Sequence, residues 1–170
     1  MVIGAGVIGL MSAMFAKKAG ANIVAISETN RRRIEKGIEI NAADEFIYAE
    51  DLNKYNDFDV VIECCGNAAA VSSALMIVKP GGTVVLVGVA TGPITIPTVL
   101  AVMKELAVKG AIAYTKDEFK KCLHLMEAKE IDVLKFLSET VGLTGVQASY
   151  EKLTSGNSDA IKIMVDPNIE

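Results

Sequence analysis

The sequence predicts an α/β domain built on a doubly wound parallel sheet, on three observations. A glycine-rich turn, V-I-G-A-G-V-I-G over Val2 to Gly9, runs from an apolar stub straight into a helical pattern. Short apolar runs then alternate with segments of helical period, which is the pace of βαβ units. The chain of 170 residues is 51% apolar with no tryptophan, so its core rests on Val, Ile, Leu, Ala and Met, the usual filling of a parallel sheet covered by helices.

Taken in order, 1–3 is a strand stub. From Val7 to Ala19 apolar residues recur at helical spacing (Ile8, Met11, Met14, Phe15), and Gly20 stops the helix. Residues 22–26 read as a buried strand, 30–40 as a helix and 45–48 as a third strand. A fourth strand, 59–63, ends at Cys64-Cys65-Gly66, and a helix over 68–78 leads into the turn residues Lys79-Pro80-Gly81-Gly82. Residues 83–89 form the most continuous buried strand. Beyond Gly92-Pro93 come a short helix (98–103) and a strand (106–113). The tail holds helices at 117–128 and 145–154 and a last strand at 160–165. On the first tail helix, Phe119, Leu123 and Met126 share one face.

The first strand is an oddity. A strand that precedes such a turn is central in the sheet, yet this one has three residues where about five or six are usual. The expectation is that sequence ahead of it is absent, as in a fragment or a truncated product.

The turn assigns chemistry. Gly4, Gly6 and Gly9 form G-x-G-x-x-G: the first for the tight turn, the second for close approach of a pyrophosphate, the third for helix-to-sheet packing. The helix that follows points free amides and its positive end at the phosphates. Glu28 follows Gly9 at about the 20-residue distance expected of a ribose-binding acid. A carboxylate there accepts from ribose hydroxyls and repels a 2′-phosphate, which favours NAD over NADP. Arg31, Arg32 and Arg33 leave NADP open, since a guanidinium can hold a 2′-phosphate. Ligands of these sheets lie at the carboxyl ends of strands, so Gly66, Gly88 and the backbone at Val87 and Val89 are candidates for the nicotinamide side.

Composition excludes other classes. The net charge is −4 and no basic run exceeds Arg31–Arg33, which argues against nucleic acid or an anionic membrane as partner. Cys64, Cys65 and Cys122 form neither a disulfide framework nor a zinc pattern, and imply a reducing, cytoplasmic location. Cys64 and Cys65 are expected to be small buried hydrophobes. The stretch 1–15 lacks the positive leader of a signal peptide, and no segment nears the ~18 apolar residues of a membrane span. The single histidine, His124, has no metal partner in sequence. No catalytic residue and no metal ligand is expected in this chain.

The order of motifs carries a resemblance. V-I-G-A-G-V-I-G-L, E-C-C-G-N, K-P-G-G-T-V-V-L-V-G, K-E-L-A-V-K-G-A-I-A-Y and A-I-K-I-M-V-D-P-N together resemble the medium-chain dehydrogenase/reductase superfamily, and within it the zinc-type alcohol and polyol dehydrogenases of the sorbitol, threonine and butanediol branches. The resemblance implies a six-stranded Rossmann sheet over 1–130. It makes 131–170 a C-terminal appendage of a GroES-like catalytic domain not contained in this sequence, where the zinc ligands and proton relay would lie. By the same resemblance Gly4, Gly6, Ile8 and Gly9 hold the pyrophosphate turn, with Ile8 toward the nicotinamide. Glu28 binds the ribose in place of the more usual Asp, Arg33 lies beside it, and Val87–Val89 with Ala111–Ala113 offer backbone to the carboxamide. Leu134, Phe136, Leu137 and Ile163 are then expected to be exposed.

The implied function is the NAD-binding portion of an enzyme that moves hydride between a secondary alcohol or polyol and NAD, inactive as the isolated chain. Two alternatives stand beside it: a fragment of a zinc-independent, NADP-using quinone or enoyl reductase, and a non-enzymatic NAD-binding module. A strand within 94–113 at the sheet edge implies pairing into a homodimer or tetramer.

Overall fold

The computed structural model describes residues 1–155, 158 and 160–169. These divide into two compact units, Met1–Ile112 and Ala113–Glu170. The helix over 116–127 falls in the second of these units.

The first unit is the doubly wound sheet. Its elements are β1 (Val2–Ile3), α1 (Val7–Lys18), β2 (Ala25–Glu28), α2 (Arg31–Glu39), β3 (Glu45–Tyr48), β4 (Phe58–Glu63), α3 (Ala68–Ile77), β5 (Val78–Leu86), α4 (Thr98–Met103) and β6 (Ala107–Gly110). The strand order is β3-β2-β1-β4-β5-β6, and every pairing is parallel. The direction of winding reverses between β1 and β4, which makes the carboxyl ends of these two strands the switch point of the sheet.

Local chemistry explains the element ends. Asn30 caps α2 by accepting from the amides of Arg32 and Arg33, and Asn67 caps α3 by accepting from Ala70. Gly20, at φ +90°, follows the cap of α1 in a conformation that L side chains rarely adopt. Lys104 donates to the carbonyls of Leu75, Met76 and Val78, satisfying the open end of α3. One face of the sheet packs Met1, Ile3, Val61, Val78 and Val84 against Ala74 and Leu75 of α3, with Leu100 and Ala101 of α4 closing the cluster. Val2 points the other way, toward α1.

Several sequence expectations shift. Residues 79–82 are not a turn ahead of a strand but a bulge within β5: Phe58 pairs with Val78 and Val60 with Thr83, and Gly81 sits at φ +73°. The strand expected at 22–26 lies at Ala25–Glu28. That at 106–113 is four residues, Ala107–Gly110.

The second unit holds α5 (Lys116–Glu127), β7 (Leu137–Val141), α6 (Val146–Thr154) and β8 (Lys162–Val165). Thr115 and Glu118 form a reciprocal capping box at the start of α5. The pair β7–β8 is parallel. Strand β7 is absent from the sequence reading, because L-S-E-T-V mixes polar and apolar residues at a pace that no template matched. The expected exposure also needs correction: Leu134 is exposed, but Phe136 is buried, and Leu137 and Ile163 are half-buried.

Candidate cofactor site

The expected site residues of the first unit gather at the carboxyl end of the sheet. Gly4–Gly9 follow β1, Glu28 closes β2, Gly66 follows β4, and Val87–Val89 follow β5. Ala113 lies in the second unit, with φ +56°.

The glycines of the turn have three separate reasons. Gly4 sits at φ +101°, and a Cβ there would come within 2.8 Å of Cys65 Sγ. A Cβ on Gly9 would lie 1.8 Å from the Gly4 carbonyl oxygen, an impossible contact. A Cβ on Gly6 would meet nothing within 4 Å, so the space above it is open. Gly6 is also the N-cap of α1 and supplies no side-chain oxygen to the first amides of the helix. An open cradle over uncapped amides at a helix N-terminus fits a pyrophosphate.

Glu28 ties the turn to β2. Its Oε2 accepts from the Ala5 amide at 2.7 Å. Its Oε1 accepts from the Thr29 amide at 2.7 Å, the Thr29 hydroxyl at 2.9 Å and the Asn30 amide at 3.0 Å. Burial by itself would raise its pKa. The hydrogen bonds from Asn30, Ala5 and Thr29 more than offset burial and hold the carboxyl below its ordinary range. The carboxylate is therefore an anion, with Oε1 fully engaged and acceptor capacity left on Oε2. Only Oε2 is open to a ribose hydroxyl, a narrower offer than the sequence implies. Nearby, Arg31 lies over the Tyr48 ring at 5.1 Å. The Nε of Arg33 is buried and has no hydrogen-bond partner among the described residues.

Glu63 is a feature that sequence reading missed. Fully buried at the end of β4, it accepts through Oε1 from the amides of Cys65 (2.6 Å) and Gly66 (2.8 Å). Its main-chain carbonyl takes the amides of Val87 and Gly88 at 2.9 Å each. One residue thus fixes both loops that face the switch point. Its signal in the sequence was an acid ending an apolar run, D-V-V-I-E.

Gly66 and Gly88 serve packing. A Cβ on Gly88 would sit 2.1 Å from the Gly66 nitrogen, and one on Gly66 would sit 2.6 Å from the Val89 oxygen. Ile8, on the first turn of α1, is exposed and available to a ligand. Cys64 is half-buried and Cys65 exposed, so neither is the fully buried residue expected. Desolvation pushes the Cys64 thiol to about 11 and the Cys65 thiol to about 12, which keeps both protonated at neutral pH. His124 is exposed beside Glu127 on α5. Among the described residues no group of three or more His, Cys, Asp or Glu could hold a metal, and no helix is long and apolar enough to cross a membrane.

An open glycine turn beside a buried acid, at the carboxyl end of a 3-2-1-4-5-6 parallel sheet, is the architecture of a Rossmann domain. The model of the zinc-binding dehydrogenase family matches residues 7–128, and the chain belongs to that family. The (R,R)-butanediol dehydrogenase of Neisseria gonorrhoeae is 31% identical over 99% of this chain and 50% of its own length. The sorbitol dehydrogenase of Macaca fascicularis is 27% identical over the same shares. Among solved structures, a putative zinc-binding dehydrogenase from Sinorhizobium meliloti, bound to NADP, superimposes with a TM-score of 0.86 at 24% identity, covering 98% of this chain and 51% of that one. The chain spans about half the length of the curated relatives it matches.

Proposed function

We propose that this chain is the NAD-binding portion of a zinc-type alcohol or polyol dehydrogenase. The observation that carries the reading is the Glu28 carboxylate, anionic and bonded to the Ala5 amide inside the glycine turn. It puts a negative charge where a ribose would rest, and a 2′-phosphate there would meet repulsion. Gly4, Gly6 and Gly9 with the amides of α1 hold the pyrophosphate. Ile8 and the backbone at Val87, Gly88 and Val89 line the nicotinamide side. Arg33, in the first turn of α2 close to Glu28 in the chain, is assigned to the adenosine end. When bound, the nicotinamide accepts or gives hydride. The chain's own residues bind and orient it, and no zinc step is assigned to them. The alcohol is a small secondary alcohol or polyol in the complete enzyme, as the names of the relatives suggest.

NADP use is the second reading, favoured by the unpartnered Arg33 Nε. A titration followed by NADH fluorescence tests the proposal. Glu28→Ala is expected to weaken NADH binding at least tenfold, or about 1.4 kcal/mol. An unchanged affinity would move the ribose contact elsewhere.

Self-association through β6 belongs to the same reading. The strand is the sheet edge, and Val108 and Ile112 are exposed beside it. Sedimentation is expected to show a dimer or tetramer that Val108→Glu converts to monomer. A monomeric wild type would remove this part of the proposal. The three free thiols accord with a reducing, cytoplasmic location.

A further inference from the structure

A buried carboxylate at the switch point has no part in holding the dinucleotide. Glu63, at the end of β4, has no exposed surface. Its register neighbours are apolar, Ile3 on β1 and Leu86 on β5. Oε1 is used twice, by the amides of Cys65 at 2.6 Å and Gly66 at 2.8 Å, short bonds of the kind a charged acceptor makes. Oε2 is buried as well, and no hydrogen bond reaches it from any described residue. Keeping an anion in such surroundings costs free energy. The amide oxygen of a glutamine would accept from the same two N–H groups without that cost. Bracing the loop after β4 therefore does not account for a charge at this position.

The loops around Glu63 define where its charge acts. The Glu63 carbonyl accepts from the Val87 and Gly88 amides at 2.9 Å each. The Gly66 nitrogen, 2.8 Å from Oε1, is 2.1 Å from where a Gly88 Cβ would stand. Only the peptide layer of 65–66 separates the carboxylate from Gly88. Across such a layer, between apolar neighbours, a Coulomb interaction falls slowly with distance and salt screens it little.

We infer that Glu63 sets the preference of this site between the two redox states of the nicotinamide: its buried negative charge favours the cationic, oxidised ring over the neutral, reduced one. The inference rests on the cofactor reading, which assigns the backbone of 87–89 to the nicotinamide side. Glu63 is a positioning and tuning residue, since it acts through its field and through the loops it braces. The two effects separate cleanly. Bracing supports both forms of the dinucleotide alike, because they differ only at the ring, and a shared interaction shifts no preference. The charge alone tells them apart. Favouring the oxidised form lowers the reduction potential of the bound couple.

The test is calorimetric titration with NAD⁺ and with NADH of the wild type, Glu63→Gln and Glu63→Asp. Glutamine keeps an acceptor for Cys65 and Gly66 and removes the charge, whereas aspartate keeps the charge on a shorter side chain. Glu63→Gln is expected to raise the ratio Kd(NAD⁺)/Kd(NADH) at least threefold, equivalent to about 14 mV in the potential of the bound two-electron couple. Glu63→Asp is expected to weaken both nucleotides together and to hold the ratio within twofold. Should Glu63→Gln not fold, the wild type decides: NAD⁺ is expected to bind at least as tightly as NADH, and tighter NADH would contradict the inference. A ratio unchanged in Glu63→Gln, or one that moves as far in Glu63→Asp, would overturn the inference and leave the cofactor reading standing. Binding of neither nucleotide to the wild type would overturn the cofactor reading, and the inference with it.

Discussion

Glu28 is bonded at once to the turn after β1 and to the start of α2, so its charge state bears on both folding and binding. Its folded pKa lies below the ordinary value of 4.5, because the bonds from Asn30, Ala5 and Thr29 outweigh burial. On acidification the unfolded chain takes up this proton first. The stabilisation is thus complete above about 4.5 and disappears as pH falls through the lower folded value. Denaturation midpoints of the wild type and Glu28→Gln are expected to differ at pH 6 and to converge toward pH 3. A difference that is constant with pH would show that the charge of Glu28 plays no part. The contact of Glu28 with the glycine turn was legible in the sequence, because spacing from such a turn reports a contact across one βαβ unit. The bracing by Glu63 was not legible in this way. It depends on β4 and β5 being neighbours, which brings Val87 and Gly88 to its carbonyl, and nothing local to Glu63 announces that.

Among elements, those with strong local signals matched the structure best. The helix expected at 98–103 and the strand at 45–48 match their observed spans. Asn30 and Asn67 marked helix starts that tertiary packing had no reason to override. The bulge at 79–82 misled because Lys-Pro-Gly-Gly is turn chemistry whether it ends a strand or loops out of one.

For the whole molecule, the fold class was the most legible property, because alternation of strand and helix and the glycine turn are repeated, mutually consistent signals. What a parallel sheet with this switch point does well is hold a dinucleotide, and the residues assigned to that task within the first unit all lie at one end of it. Calorimetric titration of the chain with NADH and with NADPH tests this claim most directly. One NADH per chain is expected, bound at least tenfold more tightly than NADPH, with the preference reduced in Glu28→Ala. No heat with either nucleotide, or a preference for NADPH that survives the substitution, would contradict it.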